Sequence, residues 1–141
     1  MRYKIPLEIV ELEHENYHLL VSSLFHDGTK GFWVIDTGAS KTVFDKNLTK
    51  HIQQVEEETE DLHSASVGAE PLETSLALLK SFSLGKLKVE NLKVALLDMN
   101  HINELYSKSA NFRICGLLGS DFLMKFNSII NYKKRRLELK T

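Results

Sequence analysis

The chain has 141 residues, 43% of them hydrophobic and 26% charged, and a formal net charge of −1. This composition predicts one globular domain over residues 1–141 with a real core, and the near-zero charge predicts neither a nucleic-acid nor a membrane partner. The single Cys115 excludes an internal disulfide and a cysteine-based metal cluster; with no bilayer-length apolar run and no signal peptide at Met1–Lys4, a reducing cytoplasm is the expected location.

In chain order, Ile5, Leu7, Ile9 and Leu12 predict a strand over Tyr3 to Leu12 with one exposed face. A turn at His14-Glu15-Asn16 leads to a strand over Tyr17 to Phe25, and Asp27-Gly28 is a hairpin signal before Lys30 to Ile35. Thr42-Val43-Phe44 reads as extended, and Asp45 is placed to cap a short helix through Ile52. Gln53 to Asp61 holds five acids among nine residues and reads as a solvated loop or edge. Leu62 to Val67 and Leu72 to Leu79 flank a Gly68-Ala69-Glu70-Pro71 turn. The first arm has little to bury, so this hairpin is a candidate mobile cover, with Ser66, Val67 and Gly68 near its tip. An ordinary exposed hairpin fits the same residues equally well. Strands follow over Phe82 to Leu84 and within Leu87 to Leu97, and Asn100 is placed to cap a short helix through Ser107. Phe112 to Leu118 is an apolar run ending at Gly119, after which Ser120 is placed to cap a helix over Asp121 to Phe126. Ser128 to Tyr132 and Leu137 to Leu139 form a closing hairpin around Lys133-Lys134-Arg135-Arg136. Many short strands and few helices predict an all-β, closed barrel-like, mainly antiparallel fold.

One stretch concentrates the chemistry. Phe32-Trp33-Val34-Ile35 is an apolar run that reads as a buried strand, and it stops at Asp36-Thr37-Gly38-Ala39-Ser40. Such a stop delivers the Asp36 carboxylate to the lip of a core, where it must be hydrogen-bonded, paired or protonated.

Asp36-Thr37-Gly38-Ala39-Ser40 after an apolar strand, with Gly116-Leu117-Leu118-Gly119-Ser120-Asp121-Phe122-Leu123 later, resembles the retropepsin-like aspartic peptidases. The resemblance spans most of the chain and implies the acid-protease fold, one lobe per chain. It makes Asp36 the catalytic acid, with Thr37, Gly38, Ala39 and Ser40 supporting the loop and Leu117, Leu118 and Gly119 on the strand beneath it. Hydrolysis of a peptide bond by carboxylates requires two of them, one as base and one as acid. Only one such loop is present, so the resemblance implies a homodimer with Asp36 from each subunit sharing a proton, acting on a peptide or protein substrate without cofactor or metal. By the same resemblance Thr37 turns its hydroxyl toward the partner's loop. Ala39 stands where two-lobed relatives carry a serine that donates to the carboxylate, which predicts a less acidic pair and an optimum nearer mildly acidic or neutral pH.

The chain also departs from the family pattern. Retroviral enzymes carry an acid four residues past the catalytic Asp and an arginine after the later glycine, whereas Ser40 and Ser120 occupy those places here. That buttress of the dimer is therefore missing.

Other candidates offer less chemistry. His14, His18, His26, His51, His63 and His101 lack ligand spacing and read as solvated surface. Cys115, inside an apolar run, reads as a small core residue, and the run of four basic residues at Lys133–Arg136 as a solvated turn. Two functional classes follow: an aspartic endopeptidase, or a non-catalytic dimerisation or peptide-binding module on the same fold.

Overall fold

A computed structural model describes residues 1–56, 75–108 and 112–141. The strands are β1 (Arg2–Pro6), β2 (Glu8–Glu13), β3 (Asn16–Phe25), β4 (Lys30–Ile35), β5 (Val43–Asp45), β6 (Ile52–Val55), β7 (Leu76–Leu79), β8 (Phe82–Leu84), β9 (Leu87–Val89), β10 (Lys93–Leu97), β11 (Ile114–Leu118), β12 (Ile129–Asn131) and β13 (Arg136–Lys140). Two short helices, α1 (Asn100–Ser107) and α2 (Ser120–Lys125), join them, with one 3₁₀ turn at Thr49–His51. Neither helix is long and apolar enough to cross a membrane.

The large sheet runs β6-β7-β10-β5-β11-β4-β3-β8-β9, with β2 also paired to β3, and a smaller sheet runs β1-β13-β12. Most pairs are antiparallel; β4 with β11 and β5 with β10 are parallel. The mainly antiparallel, barrel-like all-β architecture expected from the strand pattern is therefore the observed one.

β4 lies at the centre because both of its faces are apolar. Trp33 and Ile35 join one core cluster with Phe44, Phe82 and Leu118, while Val34 joins another with Leu20, Val43, Met99 and Ile114. A strand buried on both sides reads as a continuous apolar run rather than an alternation. Trp33 is fully buried, stacks on Phe82 with ring centroids 5.4 Å apart, and donates its indole N–H to Ser23 Oγ at 2.9 Å. Ser23 in turn donates to the Gly31 carbonyl, so the polar atom carried into the core has a partner.

Local chemistry differs from expectation at several joints. The single strand expected over Tyr3 to Leu12 divides at Leu7, whose side chain is buried and whose N–H donates to the Arg135 carbonyl, so β1 and β2 serve different sheets. Asn100 does not cap α1; the Asp98 carboxylate two residues earlier accepts the Asn100 N–H. Ser120 is the first residue of α2 rather than its side-chain cap. Asp45 caps a turn, not a helix, accepting the Asn47 N–H at 3.1 Å. At the far end of α2, Asn127 takes φ +47°, with Asn127 N–H to Met124 O and Ser128 N–H to Leu123 O closing a Schellman motif that turns the chain into β12.

One histidine departs from the surface reading: His51 is only 3% exposed, because the 3₁₀ turn lays its ring on Phe25 at 3.9 Å. Cys115 is buried as expected, and burial pushes its thiol well up.

Candidate active site

β4 runs beside β11 in parallel, with Val34 opposite Leu117 and Ile35 opposite Leu118. The same β11 pairs antiparallel with β5, Gly116 opposite Phe44 and Leu117 opposite Val43. A chain that leaves β4 and returns as β5 must therefore loop over the end of β11, and residues 36–42 form that loop. Close approach makes two glycines necessary. A Cβ on Gly116 would lie 2.2 Å from the Val43 carbonyl oxygen and 2.7 Å from the Trp33 ring, and one on Gly119 would lie 2.8 Å from the Ala39 carbonyl oxygen.

Asp36 is half-buried at the end of β4. Its N–H donates to Leu118 O at 3.0 Å, which ties the loop to the end of β11. Its carbonyl accepts from the Ala39 N–H, and its Oδ1 accepts the Gly38 N–H at 3.0 Å. That is the one hydrogen bond to its carboxylate among the described residues. The second carboxylate oxygen is left available to a ligand. A lone carboxylate in this setting can take a proton from water or give one to a leaving group, but not both in one step.

The other sequence-selected residues gather at the same place. Thr37 and Ser40 are exposed, and Ala39 O accepts the Ser120 N–H at 2.7 Å, pinning the loop to the start of α2. Leu118 and Gly119 are buried beneath the loop, with Leu117 half-buried. Gly38 has no steric reason to be glycine within one chain: a Cβ there would meet only Asp36 Oδ1, at 3.4 Å. Ser66, Val67 and Gly68, the candidate cover, lie outside the described residues.

Asp121 is the residue that sequence reasoning missed. Its Oδ1 accepts the Thr42 hydroxyl at 2.7 Å, the Thr42 N–H at 2.9 Å and the Phe122 N–H at 2.8 Å, and its Oδ2 faces Lys41 Nζ at 3.4 Å. Thr42 Oγ1 accepts the Gly119 N–H, so loop, strand end and helix start are closed into one network. Burial alone would push the Asp121 carboxyl up; the Thr42 hydroxyl and amide, the Phe122 amide and the Lys41 charge outweigh it and hold the carboxyl below its ordinary range. The missing charge pair at Ser40 and Ser120 thus reappears one residue along in each segment, with its signs exchanged. An acid just after Gly-Ser at a helix start, facing a basic residue after the Asp-Thr-Gly loop, was the available signal.

Comparison with known proteins agrees with this geometry. Residues 24–122 match the family model described as aspartyl protease. The fold is similar to the crystal structure of a retropepsin-like aspartic protease from Rickettsia conorii, at 20% identity and TM-score 0.52, covering 99% of this chain and 91% of that one. It is likewise similar to the retroviral protease-like domain of Ddi1 from Leishmania major, at 12% identity and TM-score 0.52, covering 86% and 87%. No curated protein matches the chain in sequence. The matched segment runs from the end of β3 through the Asp36 loop to the start of α2, and the chain belongs to the aspartyl protease family, with a retropepsin-like fold.

Proposed function

We propose that this chain, as one domain over residues 1–141, is an aspartic endopeptidase that works as a homodimer on extended peptides, in the cytoplasm and without metal or cofactor. The observation that carries the reading is Asp36 itself. It is anchored through its backbone to Leu118 and through Oδ1 to Gly38, its second carboxylate oxygen is unpartnered among the described residues, and the chain holds no second Asp-Thr-Gly loop.

Two Asp36 carboxylates about 3 Å apart cannot both ionise, so the pair holds one proton. The ionised member takes a proton from the water as its oxygen attacks the peptide carbonyl carbon. The protonated member gives its proton to the carbonyl oxygen, and return of a proton to the amide nitrogen completes scission. Thr37, whose hydroxyl has no partner among the described residues, is free to bond the second subunit's loop. Gly38, unforced within one chain, leaves room for that loop.

Asp36→Asn should lower peptide hydrolysis by at least about a thousandfold while leaving the fold intact. Undiminished hydrolysis would contradict the reading. With Ala39 in place of a hydroxyl donor, the pH–rate profile should peak above about pH 4. A peak at about pH 2 to 3 would contradict that part.

A further inference from the structure

The net charge of −1 averages over an uneven distribution. The two segments that build the small sheet, residues 1–6 and 129–141, hold seven of the 18 Lys and Arg residues and one of the 19 acids. Strand alternation puts Ile5, Leu137 and Leu139 in the core and turns the opposite face of the sheet to solvent. On that outer face Arg2 stands opposite Lys140, and Lys4 stands opposite Glu138, which in turn stands opposite Ile129. Like charges directly opposite each other cost stability, so packing does not account for Arg2 beside Lys140. The one acid, Glu138, is occupied by Arg136, whose Nε lies 3.8 Å from its Oε2. Arg2, Lys4, Lys140 and the exposed turn residues Lys133, Lys134 and Arg135 make no ion pair among the described residues. At the free edge of β1, Lys86 from the turn between β8 and β9 joins Arg2 and Lys4 around a depression of about 430 Å³. Charges on an edge strand discourage unwanted pairing, which would account for β1. Lys140, however, lies on the central strand and Lys133–Arg135 on a turn.

We propose that the outer face of the small sheet docks on an anionic phospholipid bilayer. Charge complementarity supplies the attraction, since lysines and arginines close to such a surface are drawn to its phosphate and carboxylate headgroups. Exposed apolar side chains select a bilayer over a nucleic acid. Ile129, 51% exposed, lies on the basic face, and Tyr132, 62% exposed, lies beside it at the start of the basic turn. A phosphodiester backbone has no use for an exposed isoleucine. The headgroup region of a bilayer takes basic side chains at phosphate level and apolar or aromatic ones just below it. Ile130, on the other side of β12, lines the depression that also holds Thr37. The candidate active-site loop therefore lies behind the sheet, and a bilayer on the basic face leaves it open to peptide.

Co-sedimentation with vesicles over a lipid concentration series tests the docking. Wild type should bind phosphatidylcholine vesicles that carry about 30% phosphatidylserine, should not bind phosphatidylcholine alone, and should be released as salt rises toward about 1 M. Lys133→Glu together with Lys134→Glu alters an exposed turn and should leave the circular dichroism spectrum unchanged. That pair should lower the vesicle partition coefficient at least about tenfold, and Lys86→Glu, across the face, should act in the same direction. Ile129→Ser together with Tyr132→Ser keeps every charge and should lower it by about threefold or more. The same charge reversal outside the small sheet, Lys46→Glu with Lys108→Glu, should change it by less than about twofold. No binding to the phosphatidylserine vesicles at low salt would overturn the proposal, as would equal losses from the two charge-reversed pairs. Tighter binding to a single-stranded RNA oligonucleotide than to the vesicles, lost with Lys133 and Lys134, would assign the face to nucleic acid and overturn it too. Each of these failures leaves the paired-acid reading standing.

Discussion

Asp121 shows how a single carboxylate organises the loop that presents Asp36. Three N–H or O–H groups from Thr42 and Phe122 converge on Oδ1, and the Lys41 ion pair to Oδ2 is longer, at 3.4 Å, and partly solvated. Hydrogen bonds to a charged acceptor contribute more than a half-exposed ion pair. Asp121→Ala should therefore lower folding stability by about 2–3 kcal/mol in denaturant titrations, because the Thr42 amide and hydroxyl lose their acceptor in a half-buried place. Lys41→Met should cost about 1 kcal/mol or less. Equal losses would mean that the ion pair, not the amide cluster, holds the loop. Asp36 was legible in the sequence because its signal is local: an apolar run broken by Asp-Thr-Gly. Asp121 was not, because its main partner, Thr42, is remote in the chain and only the fold brings them together. His51 was misplaced for a related reason. Its polar neighbours Thr49, Lys50, Gln53 and Gln54 in sequence say solvent, yet Phe25 offers its ring a stacking face.

Among the elements, β11 matters most, because it is parallel to β4 on one side and antiparallel to β5 on the other. Its apolar run was readable as a strand, and its place beneath the loop came with the family resemblance, but composition alone gives no hint of the parallel pairing. The glycine inside it has a structural cause. Gly116 sits where the Val43 carbonyl and the Trp33 ring would both crowd a β-carbon, so Gly116→Ala should destabilise the protein by about 3 kcal/mol or more, read as a fall in the thermal midpoint. An unchanged midpoint would show that β5 moves away at little cost. The hairpin at Asp27-Gly28 and the strand Lys30–Ile35 were fully legible, since Asp27 closes its own turn onto Thr29 and needs no distant partner. Helix starts were less so: Asp98, not Asn100, supplies the acceptor at α1, and sequence spacing does not distinguish adjacent candidates.

For the molecule as a whole, His51 and Asp121 are two of the groups that set acid stability. Burial lowers His51, with Asp27 opposing and Lys50, His26 and Lys80 adding to the shift, so the unfolded chain takes up a proton before the folded one does. Stability is then full above the ordinary histidine value of 6.5 and declines as pH falls below it, until the folded histidine also protonates. Asp121, held below 3.8 in the fold, contributes stability that persists above that value and is lost as pH falls through its lower native one. The thermal midpoint should thus fall in two stages, and His51→Phe should remove the first, between about pH 7 and pH 5. A midpoint that stays level in wild type over that range would contradict the assignment to His51.

In the proposed mechanism one chain supplies one acid, and catalysis requires two chains. Mixing tests it most directly: a fixed amount of wild-type chain is equilibrated with an equal amount of Asp36→Asn chain, and peptide hydrolysis is measured at a concentration where dimers prevail. Random pairing sequesters wild-type chains in dimers with a single acid, so the rate should fall to about half. A rate unchanged by the added Asp36→Asn chain would mean that each subunit hydrolyses peptides alone, and the paired-carboxylate account would be contradicted.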